Sequence, residues 1–291
     1  MQRTLLCLRN SEKVRPGLFQ SRSAEAKPRR NSRESNTCVF DSRCGTSLWR
    51  GTSDLIRGSL LACVIFSPAL YAADDIDNLA GLGSQANFRL FSEDLAGVLS
   101  FKAVAPAAPM GRQGYDLGVQ VDSTKLEHAA LWDAACGCDA DERVILPKAY
   151  LRLGAEEADL TFSYGKASGT NIAVWGVEAQ FALAIEDASV PAVALRGNYS
   201  RLNGVEQLNF SSTGAELAVS KRFGAVTPYA GGGRLWITST PKTVGFEREK
   251  FTADKYYGGV DFAIGAHAHL ALETDKIANA TSYSAKLVWR F

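Results

Sequence analysis

The sequence predicts an all-β chain: an antiparallel, up-and-down β-barrel of about ten strands, crossing a membrane by strands and not by helices. Three observations predict it. From Gln113 onward, segments of roughly ten residues alternate apolar and polar side chains between turns, the period of two that belongs to strands. The one continuously apolar run, Ser59 to Tyr71, is shorter than the ~20 residues a spanning helix needs. The chain also ends on an alternating segment closed by an aromatic residue, Phe291.

Composition alone points elsewhere. Apolar residues make up 46% and mean hydropathy is near zero, as in a soluble domain. A membrane barrel shows lipid only every second side chain, so its hydropathy stays low. The run Ser59 to Tyr71 follows Arg57, contains Pro68, ends in Ala69, Ala72 and Ala73 and precedes Asp74 and Asp75, the layout of a cleavable export signal over 56–72, cut after Ala72. Leu60-Leu61-Ala62-Cys63 has the look of a lipobox, but the apolar run continues beyond Cys63. Residues 1–55 are rich in Arg and Ser, and Cys7, Cys38 and Cys44 lack metal-like spacing. They read as a non-native or disordered extension from a start placed too far upstream, with a transit sequence as the alternative.

Residues 1–72 hold 12 of the 32 Lys and Arg and 5 of the 31 Asp and Glu. The remainder has 20 basic against 26 acidic residues, a net charge of −6. Such a balance argues against nucleic acid as a partner.

Residues 73–112 form an N-terminal segment. Phe88, Phe91, Leu95, Val98 and Leu99 recur at helical spacing opposite Arg89, Ser92, Glu93 and Asp94, giving a short amphipathic helix that ends before Pro106 and either plugs the lumen or lies on the inner rim. Two short strands over Ala86 to Val104 are the alternative, which would make twelve. The barrel itself is 113–291. Counted back from Phe291, strands fall near 281–291, 267–275, 255–265, 227–239, 208–222, 191–201, 172–185, 158–166, 147–154 and 113–123. Ten is even, and the longest connections, Ser123 to Leu146 and Thr240 to Asp254, fall on one side, the outer one if Phe291 lies at the periplasmic rim. A soluble sandwich alternates too. Small residues on the polar face and aromatic residues near segment ends (Tyr115, Tyr164, Tyr199, Tyr229, Tyr256, Tyr283, Trp289) favour the barrel.

Tyr283, Leu287, Trp289 and Phe291 resemble the C-terminal assembly signal of bacterial outer-membrane proteins. With the export signal and the alternation, the chain is similar to the outer-membrane β-barrel superfamily over about Gln113 to Phe291. The stretch Phe88 to Asp122 also resembles the start of a poorly characterised group of proteobacterial barrels. The resemblance implies a bacterial outer-membrane location, passage through the general secretion and barrel-assembly machinery, and the lipid bilayer as partner. It implies no reaction.

The polar face is expected to line the lumen with Asp116, Lys148, Arg152, Asp159, Glu178, Arg196, Glu216, Arg234, Lys255, Asp261, His267, His269, Glu273, Lys286 and Arg290. Charges of both signs pair across a narrow interior and fill it. His267, His269 and Glu273, with Ser282 and Ser284 on the next strand, offer the residue types of an acyl-transfer set, but inside the barrel and away from lipid. Two imidazoles without a third ligand make a poor metal site. No catalytic residue, metal or cofactor is expected. Cys136 and Cys138, in the first long outer loop, can form a disulfide that stiffens it. Gly231-Gly232-Gly233 lacks the context of a phosphate loop and reads as a place of strand curvature. The leading functional expectation is a monomeric barrel that passes or binds a small or amphiphilic solute along Arg152, Arg196, Glu178, Glu216 and Arg234. The alternatives are a closed structural or adhesive barrel working through its outer loops and, third, an outer-membrane lipid hydrolase.

Overall fold

The computed structural model describes residues 75–291, apart from 139, 140, 243 and 244. The expected export signal and the extension before it lie outside the described residues. Ten strands form one closed antiparallel sheet: β1 (Tyr115–Lys125), β2 (Arg143–Gly154), β3 (Ala158–Lys166), β4 (Ala173–Ala184), β5 (Ala192–Asn203), β6 (Leu208–Ser220), β7 (Val226–Pro241), β8 (Glu249–Ile264), β9 (Ala268–Ile277) and β10 (Ala280–Arg290). Each strand pairs with its neighbour in sequence, and β1 closes on β10, with Leu117 opposite Trp289. Closure leaves no sheet edge unpaired.

The register fixes the tilt. Partners traced one way from Arg201 run through Trp175, Tyr164, Ala149, Val119, Leu287 and Leu270 to Phe262; traced the other way, through Ser211 and Thr238, they reach Lys250. The circuit therefore returns to β8 twelve residues displaced, which inclines the strands about 40° to the barrel axis. The connections on the rim that holds Phe291 are short; 126–142 and 242–248 open on the opposite rim, hereafter the outer one. β8 begins at Glu249, six residues before the expected 255, so the second long connection is shorter than the sequence suggested. In the inner-rim connection 185–191, Asp187 accepts the backbone N–H of Val190 (2.8 Å) and of Ser189 (2.7 Å), bonds that lower its pKa.

The N-terminal segment lies inside the barrel. Its first residues are tied to the outer rim, where Ile76 N–H donates to Asn171 Oδ1 (3.2 Å) and Leu79 N–H to Gln207 Oε1 (3.1 Å). After a 3-10 turn at Leu79–Leu82, helix α1 (Gln85–Leu99) starts where Ser84 accepts the N–H of Asn87 (3.2 Å), an N-cap that satisfies one orphan donor. The expected helix is thus present, and the alternative of two more strands is absent from the sheet. Phe88, Phe91, Leu95 and Leu99 pack against inward-facing Val144, Leu146, Val174, Leu202, Phe210, Leu235, Ile237 and Ile277, forming an apolar core within the outer half of the barrel. Helix α2 (Ala129–Cys136) in the first outer connection adds Trp132, whose ring lies 5.1 Å from that of Phe91. A disulfide joins Cys136 to Cys138 just after α2. Gly97 lets α1 reach the wall: a Cβ there would stand 2.4 Å from the Cβ of Ala280.

The outer half inverts the simple alternation. Where α1 fills the lumen, apolar residues point inward and the outside carries Arg201, Asn203, Asn209, Thr213, Thr252 and Lys250. In the inner half the order is reversed, with Leu117, Leu160, Phe162, Phe181, Leu195, Leu217, Phe262 and Leu272 outside. Leu272→Arg, in the middle of the outward apolar zone, is expected to cost about 2–4 kcal/mol, and Thr252→Arg, above that zone, less than about 1 kcal/mol. Denaturant unfolding of both variants in lipid vesicles checks the difference.

Candidate functional site

Between α1 and β1 the chain must return through the whole lumen, and it does so as an extended tether, Ser100 to Pro109. Ten residues reach about 30 Å, enough for the crossing. A single strand in the middle of a barrel has no neighbour to bond, so its polar groups must be met by wall side chains. Lys255 Nζ donates to Phe101 O (2.8 Å). Lys286 Nζ and Tyr150 Oη both donate to Ala103 O (2.6 and 2.9 Å). The Arg196 guanidinium donates to Ala105 O (2.8 Å) and Pro106 O (3.0 Å), and Gln180 Nε2 to Ala107 O (3.1 Å). Ser220 Oγ accepts the N–H of Ala107 (3.1 Å), and Asp159 Oδ1 that of Met110 (3.1 Å). Pro106 and Pro109 have no N–H to satisfy, and the alanines around them suit a narrow passage. Val104 sits at φ 46°, a strained conformation for a β-branched residue, and at this kink successive carbonyls turn to opposite walls: Ala103 O to β2 and β10, Ala105 O to β5. Gly176 makes room for the tether, since a Cβ there would meet Phe101 Cδ2 at 2.6 Å.

Most of the remaining wall charges pair with one another. Asp122 holds Lys148 (2.7 Å), Glu216 holds Lys255 (2.9 Å), Asp159 holds Arg152 (2.6 Å), and Asp275 lies 3.6 Å from Lys102 of the tether. Lys102 also donates to Ser282 Oγ (2.6 Å). Near the inner rim Asp116 takes Arg290 (2.9 Å) and Asp261 takes His269 (2.8 Å). Glu178, in register with Asn198, and Glu273, opposite Ser284, are buried in the same layer. A cleft of about 330 Å³ opens at the inner mouth between Pro106, Met110, Arg152, Thr227, Asp261, His269 and Arg290.

Most of the residues expected to line the lumen therefore face it: Asp116, Lys148, Arg152, Asp159, Glu178, Arg196, Glu216, Lys255, Asp261, His269, Glu273, Lys286 and, at the rim, Arg290. Two do not. Arg234 points outward and pairs with Asp254 (3.0 Å) on the outer wall, because β7 turns its apolar Leu235 and Ile237 inward against α1 and so reverses the parity read from hydrophobicity. His267 belongs to the inner-rim turn after β8, exposed, with its Nδ1 2.9 Å from Arg290 O and its ring stacked on Trp289. Tyr229, expected among the outward aromatic residues, is buried: its ring covers Gly259 on β8 while Tyr257 covers Gly231 on β7. That reciprocal fit explains the glycines at 231 and 259. His269 is not brought to a hydroxyl; it lies opposite Val288, while Ser282 and Ser284 lie opposite Asp275 and Glu273.

The outer wall decides the kind of barrel. Allowing for strand tilt, the outward rings of Tyr164, Trp175, Tyr199, Tyr256 and Tyr283 fall at one height, and Tyr115, Phe262, Trp289 and Phe291 at another, roughly 15 to 20 Å below. Between them the outward side chains are almost all apolar, forming the aromatic-girdled band with which a barrel faces lipid. The fold is that of an outer-membrane β-barrel. No family model and no curated relative matches the chain. Among solved structures, the outer-membrane barrel is similar to the outer membrane protein OprG from Pseudomonas aeruginosa (9% identity, 64% of this chain and 99% of that one, TM-score 0.31), to the KdgM porin (8%, 60% and 99%, 0.29) and to the translocator domain of the autotransporter NalP from Neisseria meningitidis (10%, 74% and 97%, 0.38). Its own closed ladder and girdled wall fix the barrel type.

Sequence reading missed Lys102, Asp122, Gln180 and Asp275, and above all the tether. The available signal was Ala103-Val104-Ala105-Pro106-Ala107-Ala108-Pro109, too rich in Pro and Ala for a surface loop of that length. Lys255→Met leaves Glu216 buried without its cation and is expected to destabilise the barrel by about 3–5 kcal/mol, while adding Glu216→Met recovers most of the loss. Unfolding of the single and double variants in detergent measures both.

Proposed function

We propose that this outer-membrane barrel is sealed by its own N-terminal segment and works at its outer surface, as a structural or adhesive barrel and not as an open diffusion pore. The observation that carries the reading is the tether, whose carbonyls occupy the donors of Lys255, Lys286, Arg196 and Gln180 along the lumen. Above it, α1 packs an apolar core into the outer half. Of the residues expected along a solute path, Arg196 holds the tether, Arg152 and Glu216 are ion-paired, Glu178 is buried opposite Asn198, and Arg234 is outside, which supports the sealed reading. The inner-mouth cleft, which Pro106 and Ala108 of the tether help to line, still has room to hold a small solute. In this reading the protein is a monomer of the bacterial outer membrane, delivered by the secretion and barrel-assembly machinery, with its work assigned to connections that include the disulfide-closed α2 loop.

Planar-bilayer recording distinguishes the readings. The intact protein is expected to give no steady current. A variant with Arg196, Lys255 and Lys286 changed to Ala, shown to be folded by its heat-dependent electrophoretic mobility, is expected to give channel openings as the tether loosens. Steady conductance through the intact barrel contradicts the sealed reading.

A further inference from the structure

Just above the upper aromatic girdle, one cross-strand row runs over the seam where the barrel closes. Lys276 on β9 is opposite Thr281 on β10, Thr281 is opposite Lys125 on β1, and Lys125 is opposite Arg143 on β2. The three cations are exposed, on outward positions. With strands about 4.8 Å apart, they lie within roughly 15 Å of one another along the wall. By tilt and register the row stands within about 10 Å above the ring of Tyr283, and the Arg143 guanidinium lies 5.9 Å from that ring's centre. Among the described residues none of the three forms an ion pair with an acid; Glu127 and Glu142 belong to the connection above, and Asp275, next to Lys276, is buried on the inward side beside Lys102.

The inner rim is built differently. There Arg112 meets Glu156 at 2.6 Å, and Lys221 Nζ donates to the backbone carbonyls of Asp187 and Val190. On the outer wall Arg234 of β7 is matched by Asp254 of β8, whereas the three cations over the seam have no carboxylate partner among the described residues. Long basic side chains that rise from an apolar wall hold their charge at headgroup level, and each attracts lipid phosphate there.

We propose that Lys276, Lys125 and Arg143 form a docking surface for a phosphate-bearing lipid of the outer leaflet, with Thr281 as an added hydroxyl donor and the lipid's chains lying against the apolar wall below. Phosphate takes up the donors of two or more cations at once, and the flat wall between them admits a headgroup that carries more than one phosphate. The surface is outside the barrel, so it holds whether or not the lumen is sealed.

The test uses purified full-length barrel in detergent, titrated with bisphosphorylated lipid A and followed by native mass spectrometry. The wild type is expected to retain the lipid, and to lose it as salt is raised. Each cation contributes about 5-fold, so a variant with Lys125, Arg143 and Lys276 all changed to Gln is expected to bind roughly 100-fold more weakly, while Arg112→Gln on the inner rim leaves binding unchanged. Lipid A stripped of its phosphates is expected to bind the wild type as weakly as the triple variant does, an arm that needs no substitution to fold. Equal binding of phosphorylated and dephosphorylated lipid overturns the proposal. So does displacement of the lipid by inorganic phosphate at equal concentration, which would make the surface a site for the free anion.

Discussion

A backbone that passes through the middle of a closed barrel has no adjacent strand, and this single fact organises the interior. Every carbonyl of the tether that is left dry costs about as much as a lost hydrogen bond, roughly 1–3 kcal/mol. The wall answers with long cationic donors, Lys255, Lys286 and Arg196, which reach the axis from three sides. Glu216 supplies the counter-charge of Lys255, and in the same layer Asp159, Asp122 and Asp275 hold the further cations Arg152, Lys148 and Lys102. The lumen is charged because it contains a strand, and it is full for the same reason.

The outer half follows from the helix. The helix turns its apolar side chains, Phe88, Phe91, Leu95 and Leu99, to the wall, so the wall presents Leu146, Leu202, Phe210 and Ile237 inward, while Ser92 meets Ser239 and Arg89 meets Glu249. Strands have a period of two, and an inward apolar face leaves an outward polar one. The barrel thereby rises from the membrane with a water-compatible outside and a protein-like core, and the level at which the pattern inverts marks the top of the lipid layer. The upper aromatic girdle and the cationic row both sit at that boundary.

Closure couples these parts. β1 follows directly from the tether, and β1 pairs with both β2 and β10, so the seam of the barrel is made by the strand to which the plug is joined. The lipid-docking row lies on that seam. Strand pairing, plug seating and lipid contact therefore meet in one sector of the wall, around Lys125.

Read alone, the sequence determined the barrel class, the number of strands and the presence of a helix before them, because alternation and helical spacing are local and survive without tertiary context. It also named most of the inward charges, since in the inner half polar means inward. It failed where polarity and direction part company: Arg234 and Tyr229 lie on β7, whose parity is set by the helix it covers, and a strand carries no local mark of what lies behind it. Only the tertiary structure decided that the lumen is occupied. The Pro- and Ala-rich run Ala103 to Pro109 does not by itself say where it lies, and it acquires meaning only when Lys286, Tyr150 and Arg196, up to some 180 residues away in the chain, converge on its carbonyls.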